Sequence, residues 1–224
     1  MRGIPESIRK LADELQELPG IGPRQAIRLA FFVSTMGANQ VKNLSRAVDE
    51  LSRLKICERC FFVHQNPSTS SGQIKLSLCD ICRDKNRKHD LIAVVEKETD
   101  LISLENTKKF NGRYLILGAI PKTGMLDDQQ KLRLENLKSF IKKELMQGRP
   151  TSVVSRTSKN SGLAEEIILA FNPSSVGDFH ASFLAKELAP FAKKISRLGI
   201  GLPTGGEIEF ADDETLGGAL ERRG

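Results

Sequence analysis

The four cysteines of the chain fall into two knuckles of one spacing, "CERC" at Cys57 and Cys60 and "CDIC" at Cys79 and Cys82, with eighteen residues between them. Each C-x2-C knuckle can turn two thiolates toward one point. Together they offer the four soft, anionic corners of a tetrahedral zinc site. An ion held at every corner by protein is structural, because no open position remains for water or substrate. Disulfide pairing is the rival use of four cysteines. The chain, however, reads as soluble and cytoplasmic, with no apolar leader and no run long enough to span a bilayer, and a cytosolic chain keeps such thiols reduced. His64, alone in the polar stretch "HQNPSTSSGQ", is read as solvated and that stretch as an exposed loop.

A second constellation is "LPGIGPRQAIRLAFF", Leu18 to Phe32. Ahead of it Ile8, Leu11, Leu15 and Leu18 recur at three- and four-residue steps while Arg9, Lys10, Asp13, Glu14 and Glu17 fill the other face, which predicts an amphipathic helix. Pro19 ends that helix. Gly20 and Gly22 are expected to take backbone angles that side chains forbid, with Ile21 plugging the gap between two helices. Pro23 opens the second helix at its first position, where the missing N–H costs nothing. The bare glycine backbone lets a phosphate approach the N–H groups at the positive end of that helix, and Arg24 and Arg28 lie four apart on one face of it. A connection that merely packs is the alternative use of the same residues. A third helix, with Val41, Leu44, Val48, Leu51 and Leu54 on one side, is expected to pack on the first two.

The elements that must carry these residues change character along the 224-residue chain, which is long enough for two or three small domains. After the cysteines, "RDKNRK" from Arg83 reads as a solvated charged linker. "LIAVV" from Leu91 is the pattern of a strand buried on both faces, with Glu96 at its carboxyl end. "RYLILG" and "EIILAF" give two more strands, Asp127 to Leu145 a long helix, and Phe183, Leu184 and Leu188 another. Strands alternating with helices imply a parallel sheet, whose chemistry gathers beyond the carboxyl ends of its strands. There lie Glu96, Gly118 and "NPSSVG", Asn172 to Gly177. The net charge of +6 makes a polyanion a natural partner, and one tyrosine with no tryptophan leaves few platforms for stacking bases. A nucleic acid would therefore be held by its backbone.

The hairpin resembles the helix-hairpin-helix motif, which binds DNA phosphates without regard to sequence. The alternating half resembles a Toprim domain, in which a glutamate after the first strand and a D-x-D pair after a later one hold magnesium. Glu96 matches the glutamate, but Asn172 and Ser174 stand where the aspartates belong. An amide and a hydroxyl remove two of the charges that hold a hard cation, so the catalytic site reads as dismantled. In order, "LPGIGPRQAIRLAF", the paired C-x2-C, "VVEKETDLISLE", "GRYLILGAIPKTG", "ILAFNPSSVGD" and "SRLGIGLPTGGEIEFADDETLGGAL" resemble the RecR family of recombination mediators along nearly the whole chain.

That resemblance implies an α+β multidomain protein: a helix-hairpin-helix domain over 1–55, a four-cysteine zinc finger and linker over 56–88, a Rossmann-like Toprim domain with a parallel sheet over 89–195, and a short C-terminal segment over 196–224 making subunit contacts. It implies a ring-shaped homotetramer that encircles DNA, works without catalysis, and with RecO or RecF places the RecA recombinase on gapped DNA. It places DNA contacts at Gly20, Gly22, Arg24 and Arg28, zinc at the four cysteines, and partner docking at Glu96 and Asp100. The chain departs from the family's pattern in its long gap between cysteine pairs, in the insertion "QGRPTSVVSRTSKNSG", and in Val176 where the family usually has glutamate.

"GAIPKTG" fails as a P-loop because Lys122 and Thr123 precede Gly124, and "GIGLPTGG" fails as a dinucleotide fingerprint because Pro203 interrupts it. His180 is read as a helix-surface residue. The rival functional classes are a metal-dependent Toprim enzyme, a nuclease, primase or topoisomerase using Glu96 with acids such as Asp178, and an RNA-associated zinc protein.

Overall fold

A computed structural model describes residues 3–65, 77–121, 125–145 and 162–221. The cysteine loop, Lys122 to Gly124 and nearly all of the insertion before the third strand lie outside the described residues. The chain divides into two compact units, Met1–Leu54 and Lys55–Gly224.

In the first unit α1 (Glu6–Gln16), α2 (Pro23–Thr35) and α3 (Ala38–Leu51) follow the sequence periodicity. Ile8 and Ala12 of α1 meet Ala26 and Ala30 of α2, and the small alanines let the two helices approach closely; Leu11, Leu15, Ile21 and Ile27 close the sides. The expected packing of α3 is corrected. None of its residues is buried, and Leu44, Val48 and Leu51 face outward. Amphipathicity showed that this face seeks cover without saying that the unit itself supplies it.

The second unit begins with a short hairpin, β1 (Lys55–Ile56) against β2 (Val63–His64), and a single helical turn, α4 (Asp80–Arg83). A four-stranded parallel sheet follows, built from β3 (Leu91–Val95), β4 (Arg113–Ile116), β5 (Ala164–Ala170) and β6 (Ala192–Arg197) in the order β4-β3-β5-β6. The crossovers carry α5 (Glu98–Asn106), α6 (Asp128–Phe140, continued by a π-helical turn to Leu145) and α7 (Ser175–Leu188). The fourth strand was not legible in the sequence, and the long helix is regular only to Phe140. A 3-10 turn over Ile208–Phe210 and α8 (Asp213–Glu221) finish the described chain.

Period-two alternation sorts the sheet's side chains. Ile92, Val94, Leu115, Ile167 and Leu169 meet Leu134 and Leu137 of α6 and Leu184 and Leu188 of α7 on one face. Ala93, Val95, Tyr114 and Ile116 meet Leu101 of α5 and the four cysteines on the other. The cysteine element is therefore packed on the sheet, and the Ile116 N–H of edge strand β4 donates to the Cys60 carbonyl at 2.9 Å.

The stretch read as a solvated linker contains a half-buried clamp. The Arg87 side chain is 11% exposed, forms an ion pair with Glu105 and donates to the Gly112 carbonyl at 3.1 Å. Glu105 in turn accepts from the Tyr114 hydroxyl at 2.9 Å, which ties the end of the cysteine element to α5 and β4.

Candidate metal centre and nucleic-acid interface

Cys57 follows β1 and Cys60 closes its knuckle; there Phe61 adopts a left-handed φ of 64° and donates its N–H to the Cys57 carbonyl at 3.0 Å. Cys57 donates its own N–H to the Phe62 carbonyl at 2.9 Å. Cys79 precedes α4 and Cys82 lies within it, so one helical turn brings the second pair together. All four are buried, and their Sγ atoms lie within 4.8 Å of one another, Cys60 and Cys79 at 3.5 Å. Among the described residues this is the only group of three or more His, Cys, Asp or Glu side chains close enough to share an ion.

Four thiols this close cannot all ionise unaided. Hydrogen bonding to Cys60 draws the Cys57 thiol down, and the same contact pushes Cys60 up, with burial adding to the rise. A dication removes that conflict, so the donor set fits a metal ion. His64, on β2, is half-buried. Its Nε2 lies 3.2 Å from the Ser77 hydroxyl and its Nδ1 3.0 Å from the Gln65 carbonyl, so it holds the base of the cysteine loop and is not simply solvated.

In the hairpin Gly20 has φ +84°, as the turn requires. Gly22 does not: it is the N-cap of α2 with φ −83° and ψ 169°, angles open to any residue. A Cβ there would meet nothing within 4 Å, so packing within the chain does not account for the glycine. Ile21 plugs the interhelical gap, and the Ala26 N–H donates to the Gly22 carbonyl at 2.9 Å to begin α2. Gly22, Pro23, Arg24, Gln25 and Arg28 line an open concavity of about 510 Å³. Arg24 and Arg28 are exposed and, among the described residues, make no ion pair. The free N–H groups and positive end of a 13-residue helix thus converge with two unspent guanidinium charges.

At the carboxyl edge of the sheet, the Glu96 carbonyl accepts from Gly118, a left-handed glycine at φ +97°, at 3.1 Å. Asp100 sits in the first turn of α5 and accepts from the Lys97 N–H at 3.0 Å, so its carboxylate caps that helix. Ser174 is equally committed: its hydroxyl caps α7 by accepting from the Gly177 N–H at 3.1 Å. Asp178 is held in an ion pair by Arg197. His180 departs from expectation, being 1% exposed with its Nδ1 4.0 Å from the Glu96 carboxylate. Its place on the stripe of Gly177, Ala181, Leu184 and Leu188 was the signal that reveals this.

A glycine-turned helical hairpin, four converging cysteines and a doubly wound parallel sheet define a Toprim protein that carries a helix-hairpin-helix and a four-cysteine element. Residues 8–52 match the family profile described as RecR, helix-hairpin-helix, residues 90–199 the Toprim domain, and residues 201–223 RecR, C-terminal. The recombination protein RecR of Paenarthrobacter aurescens is 35% identical over 97% of this chain and 96% of its own length. The RecR proteins of Frankia casuarinae and Gloeobacter violaceus are 36% and 34% identical over 96% of this chain, covering 95% and 96% of their own lengths. The chain belongs to the RecR family of recombination proteins.

Proposed function

We propose that this protein is a non-catalytic DNA clamp of recombinational repair, gripping the sugar-phosphate backbone and helping a RecO- or RecF-type partner load the recombinase onto gapped DNA. The observation that carries the reading is the concavity at Gly22, where a glycine that its own chain does not require lies beside the unpaired Arg24 and Arg28. Phosphate oxygens approach the start of α2 between Gly20 and Gly22, and the two arginines supply the counter-charge. Cys57, Cys60, Cys79 and Cys82 hold one zinc ion, which supplies a structural pin and no reactive position. Glu96 and Asp100 mark the partner-docking face.

The four-part division at residues 55, 88 and 195 belongs to the same proposal, as do a cytoplasmic location and a ring tetramer. Exposed Leu44, Val48 and Leu51 of α3, with Ile208 and Phe210 ahead of α8, are the apolar surfaces that copies of the chain cover in one another. A non-catalytic role is supported by the chemistry of the sheet edge: Asn172 replaces one carboxylate, Ser174 is spent as a helix cap, and Asp178 is neutralised by Arg197.

The test is trapping. Native mass measured with circular and with linear DNA should show a multimer that stays on circles and runs off free ends. Magnesium-dependent cutting, joining or priming of strands that requires Glu96 would overturn the proposal in favour of an enzyme.

A further inference from the structure

The edge of the parallel sheet holds a group that clamp function does not use. His180 is 1% exposed, and neither of its ring nitrogens finds a hydrogen-bond partner among the described residues. Its Nδ1 lies 4.0 Å from Glu96 Oε1. Packing alone does not explain an imidazole at this position, because an apolar side chain on the stripe of Ala181, Leu184 and Leu188 would fill the space without leaving two polar atoms unsatisfied. The histidine is aimed at a carboxylate whose surroundings have changed. In a Toprim site a cation shared with two aspartates would hold the glutamate, whereas here Asn172 and Ser174 take the aspartate positions and Asp178 is bound to Arg197. Among the described residues, His180 is the only side chain within ion-pair range of the Glu96 carboxylate.

We propose that His180 is a positioning residue for Glu96: the imidazole takes over the orienting task of the lost cation and fixes the direction of the carboxylate at the mouth of the sheet. It does so by a hydrogen bond from Nδ1, across a gap that one side-chain rotation closes. The inference rests on Glu96 as a docking residue, and it adds what makes that docking specific. A carboxylate held from behind by a buried ring presents its other oxygen in a fixed direction, the arrangement a single charged N–H donor of a lysine or arginine on a protein partner requires.

The experiment uses the full-length, zinc-loaded protein labelled with 15N. The chain has three histidines, so long-range proton–nitrogen spectra resolve each ring, and His180 is identified by its contact with the Phe179 ring, 5.9 Å away between centroids. Glu96→Gln, a change of charge at constant shape, should move both His180 nitrogens by several parts per million and leave His64 and His89 in place. Unmoved His180 signals overturn the proposal. In parallel, capture of the purified RecO-type partner should fall about tenfold in His180→Leu and recover largely in His180→Gln, which keeps a donor. Equal loss in both variants also overturns it. The two readings separate cleanly: if Glu96→Gln shifts His180 but leaves capture intact, the pair stands and docking falls, whereas lost capture with unmoved signals does the reverse.

Discussion

Two glycines sit in opposite surroundings. A Cβ on Gly177 would lie 2.1 Å from the Asn172 carbonyl, whereas one on Gly22 would meet nothing within 4 Å. Gly177→Ala should therefore cost about 1–3 kcal/mol of stability, read as a lower denaturation midpoint. Gly22→Ala should cost less than about 1 kcal/mol, yet weaken DNA binding, because the new methyl occupies the approach to the α2 N-terminus. Arg24→Ala and Arg28→Ala should each weaken binding about equally on unrelated sequences and lower the slope of log affinity against log salt by about one unit. Unchanged affinity in both arginine variants would remove the hairpin from the mechanism. The cysteines make a prediction of another kind: serine at Cys79 should abolish stoichiometric zinc, and a chelator should unfold the Lys55–Gly224 unit while leaving α1 and α2 paired, as helical signal and metal analysis would show.

The elements show where physical reading of the sequence succeeds and where it stops. "LIAVV" and "RYLILG" declared themselves because β3 and β4 are buried on both faces, whereas β6 did not, since its Lys193 and Lys194 are exposed on an edge strand. The cysteine knuckles and the glycine turn were legible because chemistry fixes their spacing. The half-buried Arg87 was hidden among five polar neighbours, and only tertiary structure pairs it with Glu105. His180 was legible in principle, being in register with an apolar stripe, but a polar residue in that register reads equally as surface. The Arg87–Glu105–Tyr114 cluster also has a titration signature. Burial and then the bond to Glu105 hold the Tyr114 phenol above its ordinary range. A raised acid of this kind contributes stability that is complete below the unfolded value, about pH 10, and is lost as pH climbs toward the folded one. Tyr114 is the sole tyrosine, so its ultraviolet ionisation signal should coincide with alkaline unfolding, and Tyr114→Phe should flatten the fall in stability above pH 10.

For the whole molecule, the exposed apolar residues of α3 and of the segment around Phe210 are the surfaces on which the proposed assembly can be tested. If copies cover them in one another, Val48→Glu with Leu51→Glu should lower the native mass while each chain keeps its helical content, and retention on circular DNA should vanish with it. The sheet itself has two open sides, and they are guarded differently. Along β6 the guard is covalent sequence, the exposed Lys193 and Lys194 with their ion-paired Glu165 and Glu166; along β4 it is the Cys60 carbonyl, which occupies the Ile116 N–H. That second guard lasts only as long as the knuckle keeps its shape. If the four cysteines hold a metal ion, stripping it should therefore turn the protein into insoluble, strand-paired deposits, as light scattering would show, and charged substitutions along β4 should spare it that fate.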